Sequence, residues 1–258
     1  MVRVVPLGSG SSGNATLVSF GERRLLVDAG LSARELALRL AEVGVAPGQL
    51  SAIILSHEHH DHARGLERFS VKHRVPVFTT PETLAALNLA PRHLHAWHAF
   101  ASGVPFEAEG VMVDPFAVPH DAVDPVGFVL ESEGVRVGIA TDLGHATTLV
   151  VERLSGCHVL VVEANHDDDM LVRGPYPWAL KQRIGGRLGH LSNEEASTLL
   201  TAIVDDDCQA VILAHLSESN NTAALARKAV AAALARAGRS RYAMRVAERR
   251  APTPAVEI

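Results

Sequence analysis

Short apolar runs rich in β-branched residues recur along the chain, separated by stretches of helical spacing, and polar side chains gather where the runs end. Residues 2–5, 15–19, 24–27, 52–55, 75–78, 111–118, 126–131, 135–140, 159–163, 210–214 and 242–246 read as strands. Apolar positions at helical spacing predict helices over 31–43, 63–73, 81–88 and 222–237. Another begins after Ser192, where Ser192-x-x-Glu195 forms a capping box. Ser32 serves as an N-cap, Gly44 as a stop and Pro81 as a helix start. Such β–α alternation predicts a layered α/β fold.

Composition narrows the picture without changing it. The 258 residues are 47% hydrophobic and 21% charged, enough for a sizeable core, and no shift in composition divides them. One domain over 1–258 is therefore expected, with a tail from about residue 248, carrying Arg249, Arg250 and two prolines, expected to fray. Cys157 and Cys208 are too few for a disulfide framework and fit a reducing compartment. Met1-Val2-Arg3 leads straight into a strand, and no apolar run reaches the roughly eighteen residues of a membrane span. A cytoplasmic chain without membrane contact is expected. The net charge of −5 does not advertise nucleic-acid binding, although a local basic patch would suffice.

The chemistry concentrates at residues 56–62, S-H-E-H-H-D-H, directly after the run at 52–55. His57, His59, Asp61 and His62 give three imidazoles and a carboxylate, a donor set suited to Zn²⁺, Mn²⁺ or Fe. A zincin is excluded, because its helical H-E-x-x-H needs a second histidine where this chain has Asp61, and a loop site is expected instead. Three more runs end near a candidate ligand: His120, Asp142 and His215. Four such endings predict convergence at one sheet edge, where α/β proteins bind ligands. His190 stands just before the capped helix, a place that favours an anion. Arg173, Tyr176, Trp178, Lys181, Arg183 and Arg187 interleave cations with aromatic faces, the strongest nucleic-acid footprint in the chain. Residues 7–14, L-G-S-G-S-S-G-N, read equally as an anion nest or a plain turn. His73, His93, His95, His98 and His145 match no ligand position, and Asp121 and Asp124 read as turn formers.

The motif H-x-H-x-D-H after an apolar strand resembles the metallo-β-lactamase superfamily. The ordered series L-G-S-G-S-S-G-N, S-H-E-H-x-D-H, V-P-H-D-A-x-D-P-V-G, E-A-N-H-D, G-H-L-S-N and A-H-L-S-x-x-N-N resembles its YycJ/WalJ-like exonuclease branch. That likeness implies an αββα sandwich of two mixed sheets flanked by helices, and the sequence lacks the β-CASP insertion that many nucleases of the superfamily carry. It implies two divalent cations, one on His57, His59, His120 and Asp142, the other on Asp61, His62, Asp142 and His215, and Asp28 as a brace for the metal loop. The activity implied is 5′ to 3′ DNA exonuclease action with a place in DNA repair, using water activated between two cations, with Asp61 and His190 as catalytic groups. Hydrolysis of a small ester or cyclic phosphodiester on the same scaffold is the alternative. A redox iron protein and a metal-stabilised binding module lie further off, since the donor set is hydrolytic and complete.

Overall fold

Three apolar seams hold four layers together in the computed structural model, which describes residues 1–258. One sheet contains β1 (Val2–Gly8), β2 (Ala15–Phe20), β3 (Arg23–Val27), β4 (Ala52–Ile54), β5 (Val77–Thr79) and β6 (Trp97–Ala99). The other contains β7 (Phe106–Ala108), β8 (Val111–Ala117), β9 (Val126–Ser132), β10 (Val135–Ala140), β11 (Val159–Glu163), β12 (Ala210–Ala214) and β13 (Ala243–Val246). A last strand, β14 (Val256–Glu257), returns to the first sheet, giving the orders β14-β1-β2-β3-β4-β5-β6 and β13-β12-β11-β10-β9-β8-β7. Nine helices flank them: α1 (Ala33–Glu42), α2 (His60–Ala63), α3 (Leu66–His73), α4 (Pro81–Ala86), α5 (Thr148–Leu154), α6 (Asp168–Arg173), α7 (Trp178–Ile184), α8 (Asn193–Ile203) and α9 (Ala223–Arg236). None is long and apolar enough to cross a membrane.

The strands read as continuous apolar runs because both of their faces are covered. In β11, Val159 and Val161 enter the seam between the sheets, whereas Leu160 and Val162 pack on α5 and α8. In β1, Val2 and Val4 face inward, and Val5 and Leu7 meet the layer of α1 and α3. Each sheet begins antiparallel and ends parallel, through β3-β4-β5-β6 in one and β10-β11-β12-β13 in the other. The carboxyl ends of β4, β10 and β12 in these parallel stretches lead into residues 56–62, Asp142 and His215, and His120 follows the antiparallel β8.

Three expectations need correction. The helix expected over 63–73 is preceded by α2, so Asp61 and His62 lie on a helical turn rather than a loop; the backbone N–H groups of His62 and Ala63 both donate to His59 O, at 2.9 and 3.0 Å. The break between α2 and α3 falls at Gly65, where a Cβ would collide with Leu31 O. Second, β6, β7, α5, α6 and α7 escape the sequence reading, being three to seven residues long and only partly buried. Third, the tail does not fray. Val256 pairs with Val4 and Glu257 with Arg3, Thr253 N–H donates to Pro6 O at 2.8 Å, and Thr253 is buried.

Candidate metal centre

Three strand ends leave their sheets through residues with positive φ: Asp28 after β3 (64°), Asp142 after β10 (56°) and His215 after β12 (55°). Such backbone is uncommon outside glycine and is held by its surroundings. The turn swings each side chain inward over the sheet edge. There the structure brings all seven expected ligands together. Imidazole nitrogens of His57, His59 and His120 lie within 4.8 Å of one another, as do the donor atoms of Asp61, His62 and His215. Asp142 stands between the groups, Oδ2 3.0 Å from His62 Nε2 and Oδ1 3.8 Å from His120 Nε2.

What turns the inward-facing nitrogens into lone pairs is the set of partners behind them. His62 Nδ1 donates to Asp28 Oδ2 at 2.7 Å, His120 Nδ1 to Gly189 O at 3.1 Å and His57 Nδ1 to Ser56 Oγ at 2.9 Å. Ser56 in turn donates its hydroxyl to Asp28 Oδ1 at 2.8 Å. Asp28 thus supports two histidines at once, His62 directly and His57 through Ser56. Fixing the outer ring nitrogen selects the tautomer whose other nitrogen can bind a metal. His57 Nε2 and His215 Nε2 are buried and make no hydrogen bond. Buried polar atoms are rarely left so, and a cation is the partner this donor chemistry suits.

Glu163, at the end of β11, is the residue sequence reasoning missed. Its fully buried carboxylate accepts from His190 Nδ1 and His215 Nδ1, both at 2.8 Å on Oε1, and from the Leu143 and Leu191 N–H groups on Oε2 at 2.9 and 3.2 Å. A glutamate closing an otherwise apolar buried strand was the available signal.

The charges are strongly coupled. Burial raises the Glu163 carboxyl, but the His190 and His215 imidazoles override it and hold it at about 2. Burial lowers His215, yet Asp142, Asp61 and Glu163 lift it to about 10. Burial also opposes the charged form of His62, which Asp142 and Asp28 nevertheless raise well above the ordinary imidazole value. Asp142 is likewise held well down: burial works against its charge, and His215 and His62 prevail. His57 and His120, dominated by burial, are lowered. The centre therefore seeks positive charge on its Asp61–His62–His215 side and offers neutral imidazoles on the other.

The cluster floors a cavity of about 280 Å³ whose walls include Ser11, Asp121, Tyr176, Leu180, Arg183 and His190. The basic-aromatic passage divides here along the helical period. Leu180, Arg183 and Ile184 of α7 face this cavity, whereas Trp178, Lys181, Gln182 and Gly185 line a separate groove of about 360 Å³. Of the substrate contacts expected from sequence, Tyr176 and Arg183 thus reach the centre. Arg173, Trp178, Lys181 and Arg187 do not. Arg173 pairs with Asp169 at 3.6 Å, Lys181 donates to Val172 O at 2.6 Å, and Arg187 lies against His145 at 3.4 Å. Asp121 is more than a turn former: Oδ2 holds Arg183 Nε at 2.6 Å, and Oδ1 lies 3.4 Å from His120 Nε2.

An αββα sandwich with histidine and carboxylate clusters at one edge of paired mixed sheets defines a metallohydrolase of the β-lactamase type. The chain belongs to that superfamily: residues 23–216 match the family described as Beta-lactamase superfamily domain. It is 34% identical over 236 residues, 90% of this chain and 89% of the relative, to the exodeoxyribonuclease YycJ of Bacillus anthracis. The exodeoxyribonuclease WalJ of Streptococcus pneumoniae is 33% identical over 235 residues, 90% of this chain and 87% of the relative. Among solved structures, the metallo-β-lactamase fold protein YhfI of Bacillus subtilis superposes with a TM-score of 0.78 at 18% identity, covering 100% of both chains. A diphosphatase of the PhnP family gives 0.71 at 16% identity, covering 100% of this chain and 98% of its own. Both structural likenesses concern the fold.

Proposed function

We propose that this chain is a metal-dependent phosphodiesterase, a 5′ to 3′ DNA exonuclease, that holds two divalent cations. His57, His59, His120 and Asp142 would hold one and Asp61, His62, Asp142 and His215 the other, with Zn²⁺ or Mn²⁺ best suited to the mixed imidazole and carboxylate donors and Fe also compatible. The observation that carries the reading is the meeting of these seven side chains, with the outer nitrogens of His57, His62, His120 and His215 already committed to other partners. Similarity to two exodeoxyribonucleases over nine-tenths of the chain supports the substrate class.

Bound cations would supply Lewis acidity and lower the pKa of a water in the cleft. The chain's own groups do the rest. Asp61 borders the cavity and accepts a hydrogen bond from the attacking water, orienting it. His190 has Nδ1 tied to Glu163 and presents its other edge to the cavity, placed to give a proton to the leaving 3′-oxygen. Burial disfavours the charged His190, but Glu163 outweighs it and raises the imidazole, which keeps that proton available. Arg183 and Tyr176 flank the entrance, the first a partner for phosphate and the second a face for a base. DNA as substrate and two buried unpaired cysteines favour a cytoplasmic location.

His57→Ala and His215→Ala should each lose metal by elemental analysis; full occupancy in both would defeat the reading. His190→Ala should keep its metal while kcat falls by about 10²–10⁴-fold, and unchanged turnover would remove His190 from the reaction. The small cavity, partly walled by Leu180 and Ile184, favours a second reading as hydrolase of a small cyclic phosphodiester. Turnover of that ester with DNA left intact would select it.

A further inference from the structure

Across the cavity from α7, the wall is the glycine-rich turn at 8–14, and behind it lies the tail. Ser11 lines the cavity, and neither Ser11 nor Ser12, both exposed, donates its backbone N–H within the chain. A Cβ at Gly10 would stand 3.2 Å from Leu216 O and 3.4 Å from Arg249 Nε, so the Arg249 guanidinium lies over the turn. Arg249 Nη2 also donates to Leu216 O at 3.0 Å, one residue past His215. The position is anchored from beneath by buried Arg39, whose Nη1 donates to Leu7 O at 2.7 Å and to Arg249 O at 3.1 Å, while its Nε meets Glu35 at 2.7 Å. Arg250 follows with its side chain 87% exposed. A single carboxylate oxygen, Glu218 Oε1, lies 3.4 Å from Arg249 and 3.5 Å from Arg250. Two guanidinium groups thus share this one carboxylate oxygen.

We propose that Arg249, Arg250 and the N–H groups of Ser11 and Ser12 form a binding strip for the phosphodiester backbone of a DNA strand whose end lies in the metal cavity. The proposal rests on the nuclease reading and extends it to residues outside the basic-aromatic passage. Guanidinium groups and unpartnered backbone N–H groups both recognise phosphate oxygens. Phosphate contacts position a strand without reading its sequence, which suits an enzyme that degrades DNA from an end. The acidic net charge of the chain does not oppose this, because affinity follows the local footprint. The strip also gives the tail's return to β1 a function: strand pairing holds the segment that carries both arginines.

The test is the affinity of the metal-loaded chain for a duplex DNA with phosphorothioate ends that resist cleavage, measured by fluorescence polarisation across a salt series. Arg250→Glu and Arg249→Gln should each weaken binding by about tenfold, and each should flatten the slope of log K against log salt by about 0.9 for every phosphate no longer neutralised. With cleavable DNA, KM should rise more than kcat falls. Arg249→Gln retains the main-chain carbonyl that Arg39 holds, and Arg250 is exposed, so unchanged melting temperatures serve as the control. Native binding with unaltered affinity and slope in both variants would overturn the strip alone. Absence of DNA binding by the native chain would overturn the strip and the nuclease reading together.

Discussion

Two imidazole N–H groups converge on one oxygen of Glu163, which links a metal-site histidine, His215, to the proposed proton donor, His190. Glu163→Gln keeps the size and loses the charge, so it should weaken metal binding about 10–100-fold and reduce kcat at saturating metal; metal titration and steady-state rates check both. The raised imidazoles set the pH response. His62, lifted by Asp142 and Asp28 against its burial, and His215, held at about 10, carry protons in the metal-free chain near neutrality, and a cation must displace them. Affinity for metal should therefore increase with pH and binding should release protons. Calorimetry in buffers of different ionisation enthalpy measures this, and a pH-independent affinity without proton release would contradict it. Stability of the metal-free chain follows the same sign: the His215 contribution is complete below the ordinary value of 6.5 and is lost as pH rises through about 10. The histidine-rich stretch at 56–62 was legible as an abrupt polar interruption after an apolar run, and His120, Asp142 and His215 as polar residues near the ends of theirs, while their roles as one ligand set came from the resemblance. Glu163 was not legible, since it forms the last residue of its run and the partners that commit it come from elsewhere in the chain.

At the scale of elements, the metal loop is clasped rather than merely connected. Asp61 O accepts from the Asn14 N–H at 2.7 Å, and a Cβ at Gly30 would collide with that same carbonyl. Gly30→Ala should consequently displace α2 and abolish binding at the Asp61–His62–His215 side while much of the fold survives, which metal stoichiometry and circular dichroism together would show. Helix α8 depends on its box: Ser192 Oγ accepts from Glu195 N–H at 3.2 Å, and Glu195 Oε2 accepts from Ser192 N–H at 2.8 Å. Ser192→Ala should cost about 1 kcal/mol in denaturant unfolding. This box was readable because capping is local in sequence. The short α7 was not: its division into a cavity face and a groove face needs a helix to be assumed first, and only then do Leu180 and Arg183 separate from Trp178 and Lys181.

For the whole molecule, the two sheets each deliver one part of a centre that neither contains alone: Asp28 and residues 56–62 come from the first, and His120, Asp142, Glu163 and His215 from the second. The seam between the sheets, with 24 buried apolar residues, sets their spacing and hence the geometry of the donors. Layering of this kind was legible from strand alternation, while the meeting of the two edges was legible only through resemblance, because no local pattern encodes which sheet a strand joins. The tail was misread for the same reason, its pairing with β1 lying more than 250 residues away. Deleting residues 249–258 removes buried Val256 and Thr253 from the edge of β1 and should destabilise the chain by at least about 2 kcal/mol in denaturant unfolding. The central claim is that these converging strand ends form a metal-dependent nuclease centre. Its most direct test is the time course of label release from 5′-labelled duplex DNA by the Mn²⁺-loaded or Zn²⁺-loaded chain, before and after chelation. Progressive loss of label from the 5′ end, abolished by the chelator and absent in His57→Ala, is the expected result; DNA left intact by a fully metal-loaded chain would contradict it.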